Sequence, residues 1–404
     1  MKRIFIFSML LLLLFVSSAC APTKAIVNVQ PEVLNTAIKD NVGNARLEPQ
    51  SGCYFGVVRD DITLDTIHSY SAWLGYTPAA YVTFVKFPMT QQDIDKLNVI
   101  KQVVPTGGIV LITLEPSDGL NSISNKDCQD FATFCADYEK QPLGVMVRFA
   151  HEMNGSWYPW SQKPTSYKEK FRLLAKYVHS STHNTAMLWA PNSGGGYPFL
   201  GGPYGAQPGT PEYSVLDTDG NNKLDMNDDM YTPYYPGDDA VDWVGMSVYH
   251  WGQTYPWLEN ELPEARNFTD QITGNYSGLN GNQRAVPDFY SMFCNDGIHN
   301  KPMAIPETAA FYNTEQGGES ELAIKQAWWH QVFNFSVDTD NALNISAHFP
   351  KIKMINWFDI QKNEAQAKGN LVDWRISGNS KIQSAFKSDL SLLQNNHNYL
   401  LFAK

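Results

Sequence analysis

Eight short apolar runs, spaced along the chain by polar loops and amphipathic stretches, limit what this sequence can fold into. They are Cys53–Val58, Tyr81–Phe87, Gly108–Leu114, Gly144–Phe149, Thr185–Trp189, Trp243–Val248, Pro302–Ile305 and Ile352–Phe358. Each has the length of a buried strand. Helical patterns fall between them, over Gln91–Val103, Asn125–Lys140 and Glu321–Phe333. The clearest follows the fourth run: Tyr167, Phe171, Leu174 and Val178 share one face, and Ser166 with Glu169 reads as a capping box. Ser380–Leu393 reads as a closing helix. A strand–helix rhythm repeated eight times predicts an α/β chain closed into a (β/α)8 TIM barrel. A doubly wound sheet would be expected to carry a Gly-rich phosphate loop after its first strand, and Phe55-Gly56-Val57-Val58-Arg59-Asp60 offers none. No repeat, low-complexity tract or linker divides the chain, so residues 51–404 are read as one domain.

The flanking residues suggest export. Lys2 and Arg3, the apolar run Ile4–Val16 and Ser17-Ser18-Ala19 make residues 1–20 a signal peptide, too short for a comfortable membrane span. Residues 21–50 read as an N-terminal extension. The expected location is secreted, and Cys20 after small residues allows a cell-surface lipid anchor as the alternative. Setting Cys20 aside leaves four cysteines, an even number in an exported chain, with Cys128–Cys135 as the natural local disulfide and Cys53–Cys294 as the other. Sequons at Asn267, Asn275, Asn334 and Asn344 fit exposed positions, whereas Asn154, also in a sequon, is expected in a cleft. A net charge of −11 argues against a nucleic-acid or anionic-membrane partner. The chain is expected to be monomeric.

The segment GVMVRFAHEMNGSWYPW, residues 144–160, carries the chemistry. A buried strand exits into His151-Glu152 and then into Trp157, Tyr158 and Trp160. A carboxylic acid can protonate a glycosidic oxygen, and flat rings stack on pyranose faces. A second carboxylate, Glu307, ends the seventh run, across the mouth of a closed barrel from the fourth. Retaining glycosidases use two carboxylates about 5–5.5 Å apart, one as acid/base and one as nucleophile. Tyr249 at the end of the sixth run and Arg148 on the fourth could bond the Glu307 carboxylate. His151 could take a substrate hydroxyl. Trp357, ending the eighth run, is expected to floor a sugar subsite, and Trp189, which with Asn192 ends the fifth run, is expected to bind substrate too.

RFAHEMNGSWYPW, VDWVGMSVYHWG and the Glu307 segment resemble glycoside hydrolase family 26, from about Cys53 to Trp374. The resemblance implies Glu152 as acid/base, Glu307 as nucleophile, Tyr249 as its partner, and His151, Trp157 and Trp357 along the cleft. It implies an endo-β-1,4-mannanase acting on a β-linked, mannan-type polysaccharide with no catalytic cofactor. Alternatives are a β-1,3-1,4-glucanase or xylanase on the same site, or a non-catalytic carbohydrate-binding barrel. One departure concerns the substrate: where mannanases of the family carry a histidine after the third strand, this chain reads Leu114-Glu115-Pro116-Ser117-Asp118.

A separate motif lies in the long Gly194–Asp242 segment, expected at the active-site face. Asp217, Asp219, Asn221, Asp225 and Asp228 stand at positions 1, 3, 5, 9 and 12 of an EF-hand-like loop, with the Lys223 carbonyl at position 7. Structural calcium is expected there. Asn222 replaces the usual Gly at position 6. A catalytic zinc is not expected, since no HExxH or CxxC spacing occurs.

Overall fold

The computed structural model describes residues 38, 43–59, 66–253, 255–275, 286–295, 297–334, 343–397 and 399–404. The expected signal peptide and Cys20 lie outside them. Each of the eight runs contributes a parallel barrel strand: β1 Cys53–Val58, β2 Ala80–Lys86, β3 Ile109–Glu115, β4 Gly144–Phe149, β5 Ala186–Trp189, β6 Trp243–Gly245, β7 Met303–Thr308 and β8 Ile352–Phe358. Neighbours in sequence are neighbours in the sheet, and β8 returns to β1 from Tyr54↔Met354 to Val58↔Phe358, which closes the barrel. This is a (β/α)8 TIM barrel. β6 is shorter than expected because its ladder gives way after Gly245 to single bridges, Ser247 with Asn192 and His250 with Ala310.

Strand pairing fixes which side chains face inward, since neighbours in register in a parallel sheet point the same way. Arg148, Thr113 and Phe84 share one such level. β7 contains an irregularity that matters for the site. Ile305 pairs with Ile355 and Thr308 with Trp357, so β7 carries one residue more than β8 between these pairs. Pro306, which has no N–H to give the ladder, sits inside this bulge. Strict alternation would send Glu307 outward with Ile305. The extra residue reverses the parity, so Thr308 faces the helices, where Trp328 Nε1 donates to its Oγ1 at 3.0 Å, and Glu307 faces in.

The barrel floor is closed by the end of the N-terminal extension. Leu47 is fully buried, and Trp243 Nε1 donates to the Arg46 carbonyl at 2.6 Å. The helix after β4 spans Pro164–Ser181 and buries the expected face of Tyr167, Phe171, Leu174 and Val178. Its start differs from the expected Ser166–Glu169 box. Pro at the first position begins the helix earlier, and Glu212 from the long β5–β6 segment caps it, accepting from the Thr165 and Ser166 N–H groups at 2.9 and 3.2 Å. The predicted 91–103 helix is two, Gln91–Lys96 and Asn98–Val103, broken at Leu97. A strand over Leu400–Ala403, not foreseen, pairs with β1.

The four cysteines are buried free thiols rather than disulfides. Cys128 and Cys135 lie on one helix, Asn125–Tyr138, seven residues apart. That is about 10 Å of rise, too far for a disulfide. Burial pushes the Cys53 and Cys128 thiols up to about 12. Three sequons are not exposed as expected: Asn267 is half-buried in the lining of the barrel-mouth cleft, Asn334 is buried, and so is Asn344, whose Oδ1 caps the 345–348 helix by accepting from Ala347 N at 3.1 Å. Asn275 is exposed. If the thiols are free, Cys53, Cys128, Cys135 and Cys294 will resist a thiol reagent in the folded protein. All four will react in denaturant without prior reduction, and dithiothreitol will leave the melting temperature unchanged. Thiol titration checks this.

Candidate active site

A cleft of about 860 Å³ opens at the C-terminal face of the barrel. Glu152 enters it from the exit of β4, where the chain makes two left-handed steps, Ala150 at φ 45° and Glu152 at φ 53°. Such non-Gly conformations cost about 1–3 kcal/mol each and persist only where the surroundings enforce them. Here the enforcement is visible. Ala150 N donates to the Leu114 carbonyl at 2.9 Å, Glu152 N to the Ala190 carbonyl at 3.0 Å, and Gln162 N to the Met153 carbonyl at 2.8 Å. Asn154 is buried and ties this turn to the next strand exit through both its amide atoms, donating to Asn192 O at 2.9 Å and accepting from Asn192 N at 2.8 Å.

The two carboxylates have different surroundings. Glu307 is held at both oxygens: Arg148 Nη1 donates to Oε1, and Tyr249 OH donates to Oε2 at 2.6 Å. Arg148 has no exposed surface, and its Nη2 donates to Ser247 Oγ at 2.8 Å. Glu152 accepts from Trp157 Nε1 at 3.1 Å and has no cation bonded to it among the described residues. Burial raises the Glu152 pKa, the charge of Glu307 raises it further, and Arg148, Ser247 and Asn192 pull it down less strongly. The pair thus has one carboxyl poised toward its protonated form and another bound by a cation and a phenol.

His151 lines the cleft beside Glu152. Its Nε2 lies 3.3 Å from Tyr158 OH, and burial together with Arg148 holds its pKa well below the usual imidazole range, so the ring is neutral. Tyr158 stacks on Trp160 at 4.5 Å, and Trp160 Nε1 donates to the His151 carbonyl at 2.7 Å. Trp157 stands half-buried in the cleft wall, edge-on to Phe199 at 5.0 Å.

Two expected cleft residues lie elsewhere. Trp357 is fully buried on the outer face of β8 between Phe333 and Phe386, at 6.3 and 6.5 Å, with Nε1 donating to the Trp374 carbonyl. Trp189 faces outward from β5 and packs on Phe293 and Phe289. Alternation explains both: Phe358, the next residue on β8, faces the cleft in place of Trp357. The opposite wall is instead built by Trp251, Trp257 and Trp374, which sequence reasoning did not assign. Trp374 lies 4.8 Å from Trp251 and 5.3 Å from Tyr249, and Glu364 accepts its indole N–H at 2.9 Å. The alternation of β8 could have revealed Phe358. Trp374 follows the 361–373 hairpin, which no local pattern announced.

In the acidic loop, carboxylate oxygens of Asp217, Asp219 and Asp228 approach within 4.8 Å of one another. Asn222 is left-handed at φ 65°, the conformation glycine usually supplies at that position. Asn221 and Lys223 act within the loop, where Asn221 Oδ1 accepts from Lys223 N at 2.7 Å. Tyr231, a few residues beyond, receives the Gly194 N–H at 2.8 Å beside the cleft residue Ser193.

A closed parallel barrel with paired carboxyl groups in an aromatic cleft is an arrangement that glycoside hydrolases use. Residues 108–200, the span that includes β4, Arg148 and Glu152, match the sequence model of glycosyl hydrolase family 26. The chain is 23% identical over 287 residues to endoglucanase H of Acetivibrio thermocellus, a match covering 70% of this chain and 24% of that protein. It therefore spans about a quarter of that relative's length. Among solved structures it is similar to the Bacillus subtilis mannanase BCman (16% identity, TM-score 0.43, 91% of this chain and 95% of that one). It is also similar to the catalytic domain of the family 26 endo-β-1,4-mannanase of Bacillus sp. JAMB-750 (15% identity, TM-score 0.48, 91% and 89%).

The raised Glu152 pKa makes a prediction about stability. The folded state binds this proton more tightly than the unfolded chain, so the contribution is fully present below the ordinary glutamate value and lost as pH rises through the raised one. Glu152→Gln is expected to melt about 2 °C or more above the parent at pH 7, with the gap closing toward pH 4. Calorimetry across that range checks it.

Proposed function

We propose that the chain is a retaining endo-glycanase that cleaves a β-linked polysaccharide, with β-1,4-mannan as its substrate. The observation that carries this is the contrast between Glu152 and Glu307 in one cleft. The protonated Glu152 carboxyl gives its proton to the glycosidic oxygen as that bond breaks. Glu307, positioned by Arg148 and Tyr249, attacks the anomeric carbon and forms the glycosyl-enzyme ester. The ionised Glu152 then takes a proton from water, whose oxygen displaces Glu307 and restores both carboxyl groups. His151 offers a neutral ring to a sugar hydroxyl, and Trp157 holds Glu152 while presenting its face to the sugar on the leaving side. The chemistry needs no cofactor. A second reading, a β-glucanase on the same site, is favoured by the name of the curated relative, endoglucanase H.

Reducing-sugar release from galactomannan, glucomannan, mixed-linkage glucan and β-1,3-xylan tests both readings. Release from the mannans supports the first, and release from mixed-linkage glucan alone replaces it with the second. Glu307→Ala and Glu152→Ala should each lower kcat by about 10²-fold or more on the polymer that is cut. Activity should fall on the alkaline side as Glu152 loses its proton. No release from any polymer, with binding intact, would leave a carbohydrate-binding barrel.

Calcium at Asp217, Asp219, Asn221, Lys223 and Asp228 is part of the same proposal. The close carboxylates and the left-handed Asn222 fit a cation held by oxygen ligands. It would stiffen the segment that leads to Tyr231 and the cleft wall. Added calcium should raise the melting temperature by several degrees in the parent and leave Asp217→Ala/Asp219→Ala unchanged; equal curves for the two would remove calcium from the proposal.

A further inference from the structure

The level of β3 that holds Thr113 also holds Phe84 of β2 and Arg148 of β4. Phe84 lines the cleft and Arg148 bonds Glu307, so this level faces inward. Glu115 stands two residues further along β3 and therefore faces the same way, one layer nearer the mouth. It is half-buried. Lys86, its register neighbour, turns away to Asp118, with Nζ 2.6 Å from Oδ2. Among the described residues no donor bonds the Glu115 carboxylate, although its backbone carbonyl accepts from Phe87 N and Ser117 N. Burial and the charge of Glu307 push its pKa up while Arg148 draws it down, which puts it in the field of the reacting pair.

A second polar atom at this corner is also without a partner. His151 Nδ1 is buried and unbonded, and the His151 ring lies 5.8 Å from that of Phe84. Phe84, Glu115 and His151 thus combine a flat apolar face, a carboxylate with spare acceptor sites and an open imidazole nitrogen. A neutral pyranose presents the complement, an apolar ring face edged by hydroxyls. An acidic sugar would meet repulsion from the Glu115 and Glu307 carboxylates, whose one arginine is already bonded to Glu307.

We propose that Glu115 is a specificity-determining residue that accepts a hydrogen bond from a hydroxyl of a neutral hexopyranose unit bound against Phe84 and His151. This rests on the reading of the cleft as a glycan-cleaving site. The experiment combines binding and turnover. Calorimetric titration with β-1,4-linked mannohexaose and with a mixed-linkage glucan oligosaccharide is run on the full chain carrying Glu307→Ala, with Glu115 intact, Glu115→Gln or Glu115→Ala. The same Glu115 variants are assayed in the active chain on the polymers named above, with melting curves to show intact folding. Loss of a hydrogen bond to a charged acceptor should weaken binding by about 10-fold or more. The Glu115→Ala protein should show that loss in Kd and KM, with kcat changed by less than about threefold, and Glu115→Gln should recover part of it because its amide oxygen still accepts. Kd and KM within twofold of the parent in both variants, or a fall in kcat alone, would overturn the assignment. Polymer cleavage without a Glu115 effect on binding removes Glu115 and keeps the hydrolase. A Glu115 effect on binding without any cleavage does the reverse, and no binding of either oligosaccharide overturns both.

Discussion

Arg148 is a guanidinium without exposed surface among the apolar strands of a barrel, and the site is arranged around it. A buried cation of this kind is tolerable only if its partners are in place; removing one side of such a pair costs about 3–5 kcal/mol. Glu307 supplies the opposing charge, and Ser247 takes a second guanidinium nitrogen. Tyr249 then completes Glu307 from the other side. The same cation acts on its neighbours by distance alone. It adds to the burial that keeps His151 neutral, and it moderates the rise in the Glu152 pKa that burial and Glu307 impose. Because Arg148 bonds Glu307 and not Glu152, two glutamates of identical chemistry have different surroundings in one cleft.

The barrel was legible in the sequence because each parallel strand is buried on both faces and so reads as a continuous apolar run. Cys53–Val58, Gly144–Phe149 and Ile352–Phe358 matched to the residue. Glu152 and Glu307 were legible as polar interruptions where two of those runs end. Continuous runs, though, carry no mark of which residue faces in, because both faces are apolar. That is why run ends alone point Trp357 and Trp189 into the cleft, whereas both belong to the layer between strands and helices. Contacts distant in sequence were equally silent. The Glu212 cap of the 164–181 helix comes from the next βα connection, and Trp374 reaches the cleft from beyond a hairpin. The cysteines mislead for another reason: an even count in a chain read as exported invites pairing, but two helical turns between Cys128 and Cys135 forbid it.

Strain and support coincide at the exit of β4. Ala150 and Glu152 both take left-handed conformations, and the hydrogen bonds that hold them come from the flanking strand exits at Leu114 and Ala190. The direction of the Glu152 side chain is thus set by three adjacent βα connections together. Asn154 adds a clamp between two of them, which accounts for its burial despite the glycosylation sequon around it.

The bulge in β7 makes the orientation of Glu307 a matter of counting. Facing in or out is a two-valued property of a strand, and here it is set by the one residue that β7 holds in excess between Ile305 and Thr308. Most changes to a barrel strand are graded, a little volume lost or a little strain added. Loss of a single codon at this point would be different in kind. It could leave eight strands, their core and their helices in place, yet exchange the sides on which Glu307 and its neighbour project. A descendant gene could pass in one step from a cleft with two opposed carboxyl groups to an equally well-folded barrel that keeps only one of them there.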